Sequence, residues 1–226
     1  IDLGAITTAS LTIGAGGAIS DSGVLDIGGA AGFTTTASNG NVVLDQASDV
    51  DGALSVTTNG SGTTSVTNLT DAIDLGAITT ASLTIGAGGA VTQSGVSTVS
   101  GVSSFTAGGN AITLDQANDF TGEVGLSNSG ANNVTIDDAN DLVLGTVTIA
   151  AGNLTVDNAG TITQNGVVSV GGNTVLDNAD GTDADITLTN GSNVFTGTVT
   201  FTTDAGSDVS IADTTAFDLG ALTVNS

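Results

Sequence analysis

The chain has 226 residues, 23 carboxylates and no Lys, Arg or His, giving a formal net charge of −23. Cys, Pro, Met, Trp and Tyr are also absent, and Gly occurs 34 times. Without a basic side chain to neutralise phosphate or release counterions, nucleic acid and anionic lipid surfaces are excluded as direct partners. The usual nucleophile–base pairs of catalysis cannot be assembled either.

The joint absence of so many residue types points to selection on a repeat unit. The repeat is visible at once. IDLGAITTASLTIGAGGA fills residues 1–18 and recurs unchanged at 73–90. A looser copy begins at Leu142, and a fourth start, FDLGALTV, begins at Phe217. The four first residues, Ile1, Ile73, Leu142 and Phe217, are separated by steps of 72, 69 and 75. The chain therefore reads as unit 1 (1–72), unit 2 (73–141), unit 3 (142–216) and the start of a fourth unit (217–226). It reads as a window of a longer array, with any signal sequence, anchor or export domain outside it. No apolar run reaches the ~20 residues needed to span a bilayer, so membrane insertion is not expected.

In unit 1, Leu11-Thr12-Ile13 alternates in, out, in, as a half-buried strand does. Gly14 to Gly17 turn the chain. Phe33, Val42-Val43-Leu44 and Leu54-Ser55-Val56 continue the beat, with breaks at Gly, Asn, Asp and Ser. In unit 2, Leu83 and Ile85 match Leu11 and Ile13, Phe105 matches Phe33, and Ile112 to Ala117 match Val42 to Ala47. In unit 3, Leu154-Thr155-Val156, Ile162-Thr163-Gln164-Asn165-Gly166, Ile186-Thr187-Leu188, Val199-Thr200-Phe201 and Val209-Ser210-Ile211 keep the pattern. The strict alternation of β-branched residues argues against disorder, and no window carries a helical period.

Strands of roughly 4–6 residues every 8–10 residues, three to a coil, give about 20–24 residues per coil and three to four coils per unit. The expected fold is an all-β parallel β-helix, right-handed by the usual crossover rule. About ten coils make a rod on the order of 50 Å. A β-sandwich needs longer hairpin strands, and a propeller needs blades of ~40–50 residues with aromatic motifs. Both ends of such a rod are open sheet edges. Either the array continues, or copies associate end to end.

Leu114-Asp115-Gln116-Ala117-Asn118-Asp119-Phe120-Thr121-Gly122 and Asn193-Val194-Phe195-Thr196-Gly197-Thr198-Val199 resemble the autotransporter-associated β-strand repeat. The ITQNG and VTQSG segments with their LTV and LTI strands resemble filamentous-haemagglutinin-like repeats of large bacterial exoproteins. Phe stands where the autotransporter motif has Tyr, and Glu123 and Thr198 stand where it has a further Gly. The resemblance implies a right-handed β-helical stalk, export across an outer membrane, and a place at the bacterial cell surface or in an extracellular matrix.

For metal, the candidate is the acidic stretch Asp177, Asp180, Asp183 and Asp185, an insertion between matched strands whose carboxylates around Gly181 could wrap Ca²⁺. Its spacing fits neither an EF-hand nor the calcium-binding nonapeptide. The alternative is a solvated polar loop. Asp137, Asp138 and Asp141 form a weaker Ca²⁺ candidate, as do Asp49 and Asp51. Asp45 and Asp115 are read as turn residues that stacking could align into a charge ladder. Thr34-Thr35-Thr36 and Thr198-Val199-Thr200 could present hydroxyl rows to ice. A carboxylate pair for glycoside hydrolysis lacks aromatic sugar platforms, and the six Phe, at shared repeat positions, read as core. Asn-x-Ser/Thr occurs at Asn59, Asn68, Asn133, Asn153 and Asn190 and carries little weight in a bacterial chain.

The reading that results is a non-enzymatic structural repeat segment, a stalk or filament of a secreted surface protein or adhesin. Self-association or array continuation supplies its partners, and other domains would contact cell-surface glycans. A Ca²⁺-dependent binding module is the alternative.

Overall fold

Alternation with period 2 puts one set of side chains inside and the next outside, and a coil closes when each of its strands does this around a common axis. In the computed structural model, which describes residues 1–67, 69–179 and 183–225, the result is a parallel β-solenoid of about ten coils. Every strand pairing among the described residues is parallel, and no helix occurs there. The strands form sheet one (13 strands), sheet two (12 strands) and a short sheet three of Ile6–Thr8, Leu25–Ile27 and Asp49–Val50. Strands run from two to nine residues, a wider range than the sequence suggests. Among the described residues no helix is long and apolar enough to cross a membrane.

The register fixes coil length. Asp2 pairs with Ser20, Ser20 with Val43, Val43 with Ser65, Ser65 with Thr84, and Thr84 with Ser104. A coil thus takes as few as 18 residues (Asp2 to Ser20) and as many as 25 (Thr174 to Val199). Asp74, the second residue of unit 2, falls halfway between Ser65 and Thr84. One unit is therefore about three and a half coils, and successive copies of the same motif lie on opposite sides of the rod. Asp2–Leu3 is in sheet one, Ile73–Thr80 in sheet two, Leu142–Ile149 in sheet one and Asp218–Asn225 in sheet two. Phe33 and Phe105 share a repeat position, yet the first is in sheet two and the second in sheet one.

The motif strand carries its own kink. Leu75 pairs with Leu54 but Ile78 pairs with Val56, so one extra residue is accommodated between them. The same shift separates Leu144 from Val147 and Leu219 from Ala221. Leu75 and Gly76 both face inward, a break in alternation that marks a β-bulge. Glycine leaves room there for Ser55: a Cβ on Gly76 would crowd Ser55 Oγ, which would have to turn away. In copy 1 the kink is complete, and Asp2–Leu3 and Ile6–Thr8 belong to different sheets.

The coil that follows answers the bulge with a turn. The N–H groups of Ser94 and Gly95 both donate to Leu75 O (2.9 and 3.1 Å), those of Ser22 and Gly23 to Leu3 O, and those of Asn165 and Gly166 to Leu144 O. Inside, Val, Ile, Leu and Phe stack coil on coil. Phe33, Phe105, Phe120 and Phe195 are fully buried, and Phe105 meets Phe120 edge to face at 5.9 Å.

A Cβ on Gly95 would lie 2.5 Å from Ala77 N, whereas one on Gly191 meets nothing within 4 Å. Gly95→Ala is therefore expected to cost about 1–3 kcal/mol in urea unfolding, and Gly191→Ala less than about 1 kcal/mol. Equal midpoints for the two variants would contradict the turn-on-bulge packing.

Candidate functional site: a polar corner in every unit

In Ile162-Thr163-Gln164 and Val91-Thr92-Gln93 the third residue sits at an inward phase, where an apolar side chain is expected. The polar group is there because a partner waits on the next coil. Gln93 Nε2 donates to Asn118 Oδ1 and to Ser97 Oγ (3.0 Å), while Asn118 Nδ2 donates back to Gln93 Oε1 (3.1 Å). Asn118 Oδ1 also accepts the Ser97 N–H (2.9 Å), and its Nδ2 reaches the carbonyl oxygens of Asp137 (3.0 Å) and Leu114. Asn118 is completely buried and Gln93 nearly so.

Unit 3 repeats the clamp. Gln164 Nε2 donates to Asn193 Oδ1 (2.9 Å), Asn193 Nδ2 donates to Gln164 Oε1 (2.8 Å), and Asn193 Oδ1 accepts the Val168 N–H (3.0 Å). In unit 1 the same positions hold Asp21 and Ser48. Asp21 accepts the N–H groups of Asp45 and Gln46, and Ser48 Oγ accepts the Leu25 N–H (3.0 Å). Each clamp joins neighbouring coils and holds the bulging segment Asp45–Gln46–Ala47, Asp115–Gln116–Ala117 or Asn190–Gly191–Ser192.

Comparison with known protein families also finds three repeats. A family described as repeats of unknown function (DUF5649) matches residues 1–57, 61–127 and 131–202. The chain belongs to the DUF5649 repeat family. No curated protein and no solved structure matches it.

A second polar feature of these DUF5649 repeats runs inside sheet two. Asn118 pairs in register with Asp138, Asp138 with Asn158, and Asn178 follows Asp177, the partner of Asp157. Asn118, Asp138, Asn158 and Asn178 are all buried and stand on successive rungs. Each holds a turn or strand: Asp138 Oδ1 accepts the Phe120 N–H (2.9 Å), Asn158 Nδ2 donates to the Gly160 and Thr161 carbonyls, and Asn178 Nδ2 donates to Ala184 O (2.6 Å). Burial pushes the Asp138 carboxyl up to about 6; the N–H groups of Phe120 and Asn140 offset only part of this, and Asp119 and Asp137 add to it. The equivalent residue one unit on, Asp213, behaves oppositely. Burial pushes it up, but donation from the Thr215 hydroxyl and from the N–H groups of Phe195, Thr215 and Thr214 together holds it below the ordinary value.

The described members of the sequence candidates for metal are not gathered into a group of three or more. Asp137 points outward and Asp138 inward, since neighbours on a strand face opposite sides, and Asp141 Oδ1 accepts the Thr161 N–H (2.9 Å). The three make no ligand set. Asp177 Oδ1 accepts the Ala179 N–H (3.1 Å), and Asp185 Oδ1 accepts the Asp208 N–H of the next coil (2.8 Å). Asp183 has a left-handed backbone, φ 53°. Asp180 lies outside the described residues, as does the Asn68 glycosylation motif. Among the described residues no group of three or more carboxylates is placed to hold a metal ion. Asp49 is pushed above its ordinary value by burial and then by the neighbouring carboxylates of Asp51, Asp71 and Asp26.

Asp45 and Asp115 do not stack, because the half-coil offset puts them on different sheets. The acidic column that does form is Asp137–Asp157–Asp177 on the outer face of sheet two. Of the threonine rows, Thr35 is internal and bonds Gly40 O (2.6 Å). Thr34, Thr57, Thr79 and Thr98 form a single exposed file flanked by Gly14 and Asp119, a line and not a grid.

Replacing Asn118 by Ala removes the acceptor of the Ser97 N–H and both Asn118 bonds to Gln93, whose amide keeps only Ser97 Oγ and the Gln116 N–H. A loss of about 3 kcal/mol in chemical unfolding is expected. Asn118→Ser, the residue unit 1 uses at Ser48, is expected to retain part of it. Wild-type stability in Asn118→Ala would show that the clamp is dispensable.

Proposed function

We propose that the chain is a structural rod segment of a bacterial cell-surface or extracellular exoprotein, a stalk or filament element with no catalytic role. The observation that carries this reading is the parallel ladder, locked by one buried clamp per unit, with most of the acidic residues on the sides of the rod. The resemblance to exoprotein repeats supports the extracellular setting and an adhesin or matrix context.

The last strand, Asp218–Asn225, supports axial stacking. Leu219, Leu222 and Val224 are 52–56% exposed, whereas their counterparts Leu75 and Ile78, and Leu144 and Val147, are covered to 0–1% by the following coil. The covering strands are Val91–Gln93 with Ser97–Val99, and Ile162–Gln164 with Val168–Val170. The partner this edge fits is thus another coil of the same repeat type, in the same chain or in a second copy.

Electron microscopy tests the reading. Rods of about 50 Å are expected at low concentration, with lengthening by axial addition at high concentration, and Leu222→Asp is expected to block the lengthening. Round particles, or association side by side that ignores Leu222→Asp, would refute it.

A further inference from the structure

Three buried side-chain oxygens on successive rungs of sheet two have no hydrogen-bond partner: Asp138 Oδ2, Asn158 Oδ1 and Asn178 Oδ1. The orientation of Asn158 is fixed, because its Nδ2 is committed to the carbonyls of Gly160 (2.6 Å) and Thr161 (3.1 Å). Its Oδ1 can therefore only accept. Asp138, its register partner one rung away, is ionised at neutral pH in the ordinary case and could then only accept as well. Two acceptors on neighbouring rungs, inside an apolar core, need a hydrogen between them.

The chain has no cationic side chain to provide one. The titratable groups on the elements around Asp138 are Asp115 and Asp119 on strand Ile112–Phe120, Asp137 beside it, Asp141 in the following turn and Asp157 on strand Leu154–Asn158. All are carboxylic acids.

We propose that Asp138 is a buried proton-binding site that ties adjacent coils together: as a neutral acid its Oδ2–H donates to Asn158 Oδ1, and loss of the proton loosens the rod at that rung. The bond formed is O–H···O between rungs, and the proton comes from and returns to solvent. The rod is accordingly tighter in a mildly acidic medium than in a neutral one. The direction agrees with the raised pKa. A folded value above the unfolded one contributes stability that is complete below the ordinary carboxylate range and is lost as pH climbs through about 6.

Asp213 occupies the equivalent position but has donors on its carboxyl, so it lacks this behaviour and serves as the internal control. Asn fits the Asp138 rung, as Asn118, Asn158 and Asn178 show, so Asp138→Asn is expected to fold.

The experiment is a carboxyl-carbon NMR titration of the whole chain together with amide hydrogen exchange of Phe120, whose N–H donates to Asp138. One carboxyl is expected to titrate near pH 6, to vanish in Asp138→Asn and to persist in Asp213→Asn. Intrinsic-rate-corrected protection of the Phe120 amide is expected to be about tenfold greater at pH 5 than at pH 7.5 in the wild type. In Asp138→Asn it should be nearly independent of pH. Titration of Asp138 together with the other carboxylates below pH 5 would overturn the proposal. So would stabilisation at pH 7.5 by Na⁺ or Ca²⁺ that disappears in Asp138→Asn, because a cation and not a proton would then occupy the rung.

Discussion

A strand in this solenoid has no hydrogen-bonding partner in its own coil. The Ile73 N–H finds Ala90 O, Leu83 N–H finds Val102 O, and Leu142 N–H finds Thr161 O, each close to one coil length away. Buried backbone groups must be paired, so coil length is held near 20 residues throughout. Any excess must be expelled at a corner. The bulges at Gly76, Gly145 and Gly220 and the turns at Gly23, Gly95 and Gly166 are all such corners.

The same constraint explains why one motif serves two faces. A repeat of about 72 residues is not a whole number of coils, so each copy begins half a coil out of phase with the last. The motif tolerates this because its demands are local: inward Leu and Ile, a glycine at the bulge, and a coil above that turns at Ser-Gly or Asn-Gly. Both long sheets meet those demands. Copy 1 departs only in splitting the motif strand across two sheets, and its clamp is also the least elaborate, with Asp21 and Ser48 in place of Gln and Asn.

Repeat length, strand alternation and the parallel coil were legible because each depends on residues near in sequence. The half-coil offset was not, since period-2 alternation tells inside from outside but not one sheet from another. The ladder sought in Asp45 and Asp115 failed for that reason, while Asp137, Asp157 and Asp177 formed one. The clamps were hidden for a different reason: Gln93 meets Asn118 25 residues away, and Gln164 meets Asn193 29 residues away. One signal was available. Gln93 and Gln164 stand two positions after an inward Val91 or Ile162, and Asp138 two after Ile136. A polar residue at an inward phase is a buried hydrogen bond before it is a ligand, which is why Asp137, Asp138 and Asp141 separate in the fold.

The distribution of charge then orders the possible contacts of the rod. Carboxylates cover its sides, and the exposed apolar row Leu219, Leu222 and Val224 is at an axial edge. Two rods approaching side by side bring like charges within the screening length of about 10 Å at 0.1 M salt. Two coils meeting along the axis bury apolar rows and satisfy a line of edge N–H and C=O groups. Axial contact therefore gains both hydrophobic burial and backbone pairing, while lateral contact meets repulsion with no cationic side chain to relieve it. An anionic coat on the sides of the ladder disfavours thickness, and that follows from where this sequence places its aspartates.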